Sequence, residues 1–188
     1  MNAQPDLFGS SPPAWPAGFA YRDEVISPAE EQALVERIAP LPFKPYEFRG
    51  YLGRRHTVSF GYRYDFHGRR IEIEPIPDFL LLPRARAAAF AGLATDDLQQ
   101  VLINRYAPGA GIGWHRDRPM FRDVVAISLL APCTLRLRRA VGDGWERRSV
   151  EARARSAYLL RGEVRSEWEH SIPPLDALRY SITFRNFS

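Results

Sequence analysis

The chain has 188 residues, 45% of them hydrophobic and 12% aromatic, which suits one domain with a sizeable core. The sequence lacks an apolar run near the roughly 20 residues of a membrane span, and it lacks the basic start and apolar stretch of a secretory signal. The net charge is +4, and residues 101–188 carry 15 basic and nine acidic side chains, which favours a polyanionic partner such as nucleic acid. However, 25 of the 26 basic residues are Arg, and the base composition of the genome can produce that bias.

The N-terminal segment is predicted to be an arm that precedes a single domain. Residues 1–18 are rich in Pro, Ala, Ser and Gly, so we expect disorder there and one domain over residues 19–188. Phe19–Ile26 is predicted as the first strand. The tetrapeptide at residues 27–30, Ser-Pro-Ala-Glu, then has a capping Ser, Pro at the first helical position and Glu three residues after the cap. We therefore predict a helix from this point to Pro40.

An aromatic, alternating segment follows the helix. Phe43–Phe48 is predicted as a strand, Gly50–Gly53 as a turn and His56–Phe66 as a second strand. The alternation places five residues of the second strand on one face: Val58, Phe60, Tyr62, Tyr64 and Phe66. The first two are typical of core packing, whereas two adjacent phenols can also line a pocket and stack on a base.

The remaining elements are one helix and a series of strands. Pro75–Pro83 leads into a helix that ends near Gly92. Strands are predicted over Leu98–Tyr106, Val124–Leu130, Thr134–Arg138, Trp145–Glu151, Ser156–Leu160 and Leu178–Asn186, with a hairpin turn at residues 141–144. The order lacks an alternating βαβ pattern, so we expect an α+β chain whose core is a double-sheet jelly roll, that is, a double-stranded β-helix. Cys133 lies between apolar stretches and is expected in the core of a protein of the reducing cytoplasm.

The strongest functional pattern lies in residues 102–117. An apolar strand passes through a Gly-rich loop and delivers His115 and Asp117, which point to the same side of an extended chain. His170 is the one His that follows, and two His with one carboxylate form the ligand set of non-haem Fe(II) oxygenases. For the His-x-Asp tripeptide alone, a surface His and a solvated Asp remain the simpler interpretation.

The last predicted strand alternates strictly. Arg179, Ser181, Thr183 and Arg185 share one face, and Tyr180, Ile182 and Phe184 share the other. If the polar face looks inward, two buried guanidinium groups need anionic partners. A dicarboxylate such as 2-oxoglutarate supplies them, because Arg binds planar carboxylates through two parallel hydrogen bonds.

These elements together resemble the AlkB family of Fe(II)/2-oxoglutarate dioxygenases. The resemblance rests on Asn104-Arg105-Tyr106-Ala107-Pro108-Gly109, on His115-x-Asp117, on His170, and on Arg179 with Arg185; it runs from about Leu102 to Arg185 and is faint before Phe60. It implies a jelly roll with the first two helices buttressing one sheet. It also implies that the segment near Tyr62 is part of a substrate lid, and that His115, Asp117 and His170 hold Fe(II) for a reaction with 2-oxoglutarate and dioxygen.

The same resemblance assigns residues to the two substrates. It implies that 2-oxoglutarate is bound by five residues: Asn104, Tyr106, Arg179, Ser181 and Arg185. Ser181 replaces an Asn of one family member, and its hydroxyl can still donate a hydrogen bond. Arg118-Pro119 stands where that member has an acidic residue that helps to recognise the damaged base. Candidate substrate contacts are Tyr62, Tyr64, Trp114, Arg118 and Trp168, although ordinary packing is the simpler interpretation for each of the two Trp residues.

The activity implied by the resemblance is oxidative dealkylation of N-alkylated bases in DNA or RNA, the chemistry of alkylation damage repair. The base would be flipped from its stack, at roughly a few kcal/mol, or offered in a single strand. One alternative is a hydroxylase or demethylase of the same fold that acts on tRNA or protein, which Pro119 favours. The other is a non-catalytic nucleic-acid-binding module, against which the intact iron and 2-oxoglutarate residues count. We expect a cytoplasmic monomer.

A short motif in the arm suggests a partner. Gln4-Pro5-Asp6-Leu7-Phe8 resembles the Gln-x-x-Leu-Phe peptide by which bacterial DNA-repair and replication proteins dock on the polymerase sliding clamp. Leu7 and Phe8 would be the two apolar anchors on an otherwise polar arm, and Gln4 the polar one. The alternative is that both apolar side chains fold back onto the domain.

Overall fold

A computed structural model of the chain describes residues 15–48, 51–64 and 70–187, with the backbone alone described at 47–48, 51–52, 63–64 and 70–73. Within them lie three α-helices, α1 (Pro28–Ile38), α2 (Leu81–Ala91) and α3 (Glu163–Ser166), and two 3-10 turns, Asp78–Leu80 and Thr95–Asp97. The same residues form twelve strands: β1 (Phe19–Arg22), β2 (Lys44–Phe48), β3 (Tyr51–Tyr64), β4 (Arg70–Glu74), β5 (Gln100–Tyr106), β6 (Ile112–His115), β7 (Phe121–Leu130), β8 (Cys133–Val141), β9 (Gly144–Ala152), β10 (Ala157–Leu160), β11 (Glu169–Ile172) and β12 (Arg179–Phe187). Of the helices described, none is long and apolar enough to span a membrane.

The strands form two antiparallel sheets packed face to face. The large sheet has the order β1-β10-β7-β12-β5-β3-β2, with β4 paired to β3, and the small sheet has the order β6-β11-β8-β9. Val124 and Ala126 of the large sheet share one buried cluster with Leu135, Leu137 and Ile172 of the small sheet. This arrangement is the double-stranded β-helix, so the predicted fold class is confirmed.

A second core lies on the outer face of the large sheet. Leu34 and Ile38 of α1 and Ala87 of α2 pack there against Val125 and Ile127 of β7. Each buried Leu, Ile or Val side chain of this core contributes about 1.5–3 kcal/mol relative to exposure. The predicted buttressing of one sheet by the first two helices is therefore confirmed.

Helix α1 begins as the sequence predicts. The Ser27 Oγ accepts a hydrogen bond from the Glu30 backbone N–H at 3.2 Å, and the Glu30 carboxylate accepts one from the Ser27 N–H at 2.6 Å. The strand before it is shorter than predicted. Strand β1 ends at Arg22 rather than Ile26, because Glu24 has a φ of +52°, which takes the chain out of the extended region.

Strand β3 departs most from the prediction. Gly53 lies inside the strand rather than in a turn, and Phe48 pairs with Tyr51. Gly61 has a φ of +78°, and a Cβ there would lie 2.1 Å from the carbonyl oxygen of Gln99. From His56 to Gly61 the strand pairs with β5, and from Gly61 to its end it pairs with β4.

The kink at Gly61 changes which face the next aromatic residue occupies. Val58 and Phe60 pack against the outer core, as expected. The Tyr62 ring instead lies 5.6 Å from the ring of Phe187, which packs against the core between the sheets. The prediction of a single face is therefore wrong at Tyr62, which follows Gly61 with its positive φ. Phe66 lies outside the described residues.

The other predicted strands agree with β2, β5, β7 to β10 and β12 to within three residues at each end. Strands β4, β6 and β11 were not predicted; β6 and β11 have only four residues each, and β11 is followed by two prolines. Cys133 is buried between the sheets, as expected. The motif Gln4 to Phe8 lies outside the described residues. Near the end of the predicted arm, the carbonyls of Ala17 and Gly18 accept hydrogen bonds from Val164 and Arg161.

Candidate metal centre and co-substrate cavity

The sheet register brings the three proposed metal ligands together. His115 ends β6 and lies directly opposite His170 of β11, with their ring centroids 4.2 Å apart. Asp117 follows two residues after His115, and its Oδ2 lies 3.9 Å from Nε2 of His170. One ligand atom from each of the three residues lies within 4.8 Å of the others. Such a compact set of two His and one carboxylate can hold Fe(II) and leave other coordination positions open.

The protonation of this group suits a metal. The Nδ1 of His115 lies 2.9 Å from the carbonyl oxygen of Gly113, so its N–H can donate there and leave Nε2 for the ion. Burial lowers the pKa of His115, and burial with the neighbouring charge of His115 lowers the pKa of His170 to about 3. Burial alone would raise the pKa of Asp117, but Arg185 and the two imidazoles hold it below its ordinary value. Neutral imidazoles and an ionised carboxylate are the forms that bind metal.

These ligands line a small cavity that opens to solvent. Its polar lining comes from the inner face of the large sheet: Arg55, Asn104, Tyr106, Ser181, Thr183 and Arg185. The side chains that complete it are those of Tyr158, Ile112, Val124, Leu160 and Ile172. A concave site where polar groups converge beside a possible metal-binding set is typical of a small-molecule site.

Strand β12 presents its polar face to this cavity. Ser181, Thr183 and Arg185 line it, whereas Ile182 and Phe184 are buried in the outer core. The sequence left open which face looks inward. The structure shows that it is the polar one.

Arg179 is a buried cation for which the described residues provide no anionic partner. Its side chain is 0% exposed, Nη2 donates to the Ser128 Oγ at 2.8 Å, and the guanidinium lies 5.3 Å from the centre of the Tyr106 ring. Nε and Nη1 are buried without a hydrogen-bond partner among the described residues. A buried guanidinium with two unused donors calls for an anionic ligand. A carboxylate of 2-oxoglutarate has the charge and the planar shape that these donors need.

Arg185 connects the metal centre to β5. Its Nη2 donates to Oδ1 of Asp117 at 3.1 Å, and its Nη1 donates to the side-chain oxygen of Gln100 at 3.0 Å. The acidic residue missing after the ligand Asp is not replaced by Asp123. That carboxylate is buried against Arg161 and Asn186 and does not line the cavity.

Arg55 is a site residue that the sequence reasoning missed. It lines the cavity, stacks 3.9 Å from the centre of the Tyr46 ring, and donates from Nη1 to Oδ1 of Asn104 at 2.6 Å. Because a guanidinium only donates, it fixes the Asn104 amide with its oxygen towards Arg55. The signal was the alternation of Arg55, Thr57 and Ser59 with His56, Val58 and Phe60, the same pattern that marked β12.

The proposed substrate contacts occupy different places. Tyr62 packs on Phe187, and Phe187 packs on Phe121, whose ring lies under the Arg185 guanidinium; this places Tyr62 in the aromatic cluster beside the site. Arg118 is exposed next to Asp117. The side chain of Tyr64 lies outside what the structure describes.

The two Trp residues lie apart from the cavity. The ring of Trp114 lies under the guanidinium groups of Arg136 and Arg138. In β8 these two residues alternate with Leu135 and Leu137, which point into the core between the sheets. Trp114 therefore lies on the outer side of the small sheet. Trp168 is 2% exposed, and its indole N–H donates to Glu163 at 3.4 Å. Both positions correspond to packing, so we do not retain either residue as a substrate contact.

Comparisons with known proteins agree with this geometry. The family model described as 2OG-Fe(II) oxygenase superfamily matches residues 22–185. An Arabidopsis thaliana protein named alkylated DNA repair protein ALKBH8 homolog is 26% identical over 177 residues, covering 80% of this chain and 49% of the relative. The Xenopus tropicalis protein named tRNA (carboxymethyluridine(34)-5-O)-methyltransferase alkbh8 is 27% identical over 169 residues, covering 86% of this chain and 26% of the relative. This chain thus spans about half and about a quarter of the lengths of these two proteins.

A solved structure supports the fold. The structure of OsALKBH1 superposes with a TM-score of 0.65 at 16% identity, covering 92% of this chain and all of that one. At this identity the likeness concerns the double-stranded β-helix itself.

Proposed function

We propose that this chain, which belongs to the 2OG-Fe(II) oxygenase superfamily, oxidatively removes N-linked alkyl groups from nucleobases of DNA or RNA. The family uses Fe(II), 2-oxoglutarate and dioxygen. The observation that carries the reaction class is that the His-Asp-His group lies on one cavity with Arg185 and Tyr106. The Arg179 guanidinium lies 5.3 Å from the centre of the Tyr106 ring, and two of its nitrogens have no hydrogen-bond partner among the described residues. A binding module would have no need for both groups.

Each residue has a definable role in this proposal. His115, Asp117 and His170 would hold Fe(II), which when bound supplies the oxidation of a substrate C–H bond at the expense of 2-oxoglutarate. Arg179 would neutralise the carboxylate of 2-oxoglutarate far from the iron. Arg185 would hold the Asp117 carboxylate in place.

Other cavity residues would bind and shield the co-substrate. Asn104 would donate from its amide nitrogen, since its oxygen faces Arg55. Tyr106 and Ser181 would offer hydroxyl groups. The apolar side chains Ile112 and Ile172 would exclude water from the reacting carbon.

The charge around the cavity supports a nucleic-acid substrate. Arg116 and Arg118 flank Asp117 and are exposed, and the Arg122 side chain is 60% exposed. Arg54 is exposed beside the cavity residue Arg55. Exposed guanidinium groups near the mouth of a site can bind phosphates on either side of a base held inside it. The names of both relatives refer to nucleic acid as well.

The test is turnover on methylated oligonucleotides. The protein is incubated with Fe(II), 2-oxoglutarate and either DNA or RNA that carries N-methylated bases, and succinate, formaldehyde and the released nucleosides are quantified by mass spectrometry. We expect one formaldehyde for each base repaired and no product from Asp117→Ala. Succinate release without any base demethylated, across both nucleic acids, would refute the substrate part of the proposal.

A tRNA hydroxylase of the same fold is the second candidate. It is favoured by Arg118-Pro119 in place of an acidic residue and by the guanidinium of Arg55 at the cavity, since neither arrangement suits a cationic methylated base. The discriminating measurement is the mass of tRNA nucleosides before and after reaction. A nucleoside heavier by one oxygen, without formaldehyde, would favour this candidate.

A further inference from the structure

We propose that Arg116 and Arg165 are positioning residues of the metal centre, which together hold Asp117 in place relative to His170. The inference rests on the metal centre in the proposed function. It does not depend on which substrate is oxidised.

Two hydrogen bonds hold the segment that carries Asp117; the segment is the donor in one and the acceptor in the other. Residues 116–118 follow β6 and lie outside the described strands. On one side of Asp117, Nη1 of Arg116 donates to the carbonyl oxygen of Ser166 at 2.9 Å. On the other side, the carbonyl oxygen of Arg118 accepts a hydrogen bond from Nη2 of Arg165. Both residues that flank the ligand are therefore fixed to α3, where Arg165 and Ser166 lie.

Helix α3 is itself anchored, although it has only four residues. The carbonyl oxygen of Gly162 accepts hydrogen bonds from the Ser166 N–H and Oγ, each at 3.0 Å. The Val164 N–H donates to the carbonyl of Ala17, and the Glu163 carboxylate accepts from Arg139 at 2.9 Å. Strand β11 begins three residues after α3 and contains His170. The two guanidinium–carbonyl bonds thus tie the Asp117 segment to the stretch of chain that leads to His170.

The charge of Arg165 separates a positioning role from a purely electrostatic one. Arg165 is 8% exposed and lies within electrostatic reach of Asp117. A nearby cation repels a divalent metal ion, so if only the charge mattered, its removal would tighten metal binding. If Arg165 positions Asp117, its removal weakens metal binding. The two explanations predict opposite signs.

The test measures metal affinity without turnover. Mn(II) binding to the metal-free protein is followed by calorimetry for the unchanged chain and for Arg165→Met, Arg165→Lys and Arg116→Met. The control is Arg153→Met, which removes an exposed guanidinium elsewhere. Loss of a group that orients a metal ligand typically weakens affinity about 10- to 100-fold, which we expect for Arg165→Met. Arg165→Lys should also weaken Mn(II) binding, because the Lys ammonium keeps the charge but lacks the length and the planar donor geometry of the guanidinium.

Thermal unfolding of the metal-free variants completes the experiment. A lower Tm with unchanged Mn(II) affinity would make both residues merely structural and overturn the inference, as would tighter binding by Arg165→Met. If Arg165→Met does not fold, the exposed Arg116→Met decides, with a several-fold loss of affinity expected. If the unchanged protein binds no Mn(II), the proposed metal centre fails and this inference fails with it.

Discussion

Replacement of Arg179 by Met should leave the free protein as stable or make it more stable, but it should weaken the binding of 2-oxoglutarate. In the free protein the substitution removes a fully buried cation, two of whose nitrogens have no partner among the described residues. Replacing such a charge with an apolar side chain of similar length is often neutral or stabilising. We therefore expect an unchanged or higher Tm without ligand.

The bound state should lose its main charge pair. A buried, charge-assisted pair is worth about 2–5 kcal/mol when one partner is removed, and about 1.4 kcal/mol corresponds to a factor of ten. The Kd for 2-oxoglutarate should therefore rise by about 30-fold to a few thousand-fold. Ligand at 100 times its Kd stabilises a protein by about 2.7 kcal/mol, and the variant should lose that stabilisation at the same concentration.

Two measurements on the Mn(II)-loaded protein check this expectation. Calorimetry gives the Kd for 2-oxoglutarate, and thermal unfolding with and without 2-oxoglutarate gives the ligand-induced shift in Tm. Arg153→Met, an exposed Arg, is the control and should bind like the unchanged protein. If the Kd of Arg179→Met for 2-oxoglutarate lay within a factor of about three of the Kd of the unchanged protein, the loss of binding free energy would be less than about 1 kcal/mol. That result would refute the assignment of Arg179.

Three further predictions concern the metal centre and the arm. His115→Ala and Asp117→Ala should each abolish turnover and Mn(II) binding, measured by succinate release and calorimetry, while the circular dichroism of the fold is kept. In the metal-free protein the pKa of His170 is lowered to about 3, so between about pH 6.5 and pH 3 the unfolded chain binds a proton at this residue that the folded chain does not. The free energy of unfolding should therefore fall as the pH decreases towards 3. Urea titrations should show a smaller fall for the His170→Gln variant. A peptide of residues 1–11 should bind a bacterial sliding clamp with a Kd in the micromolar range or weaker, because a disordered peptide loses entropy on docking; equal calorimetric heats for the peptide and for its Leu7→Ala, Phe8→Ala double variant would end that hypothesis.

The parts of the site that could be predicted are those set by local geometry. In β12, alternate side chains point to opposite faces of the sheet, so the sequence itself separates Arg179, Ser181, Thr183 and Arg185 from the apolar residues between them. The apolar face packs in the core, which leaves the polar face for the site. His115 and Asp117 are two residues apart, so their proximity follows from the chain itself. The capping residues of α1 likewise act within four positions.

The parts that could not be predicted depend on distant segments. Arg165 meets the carbonyl of Arg118 across 47 positions, and a main-chain carbonyl carries no sequence signature of its partner. The face occupied by Tyr62 depends on the kink at Gly61, whose φ is set by close contact with Gln99. Trp168 beside a ligand His suggested a pocket, but its burial is decided by Glu163 and the rest of the inner core.

The change of partner within β3 bears on how such enzymes can diversify. Up to Gly61 the strand is locked to β5, next to Asn104, whereas beyond it the described backbone pairs with β4, in an extension of the sheet. The hydrogen-bond register that supports the co-substrate residues therefore does not depend on the described pairing of β3 with β4. If this extension is part of the substrate lid that the family resemblance implies, it could vary between relatives, or be grafted from one to another, while the residues proposed to hold the metal and 2-oxoglutarate stay the same.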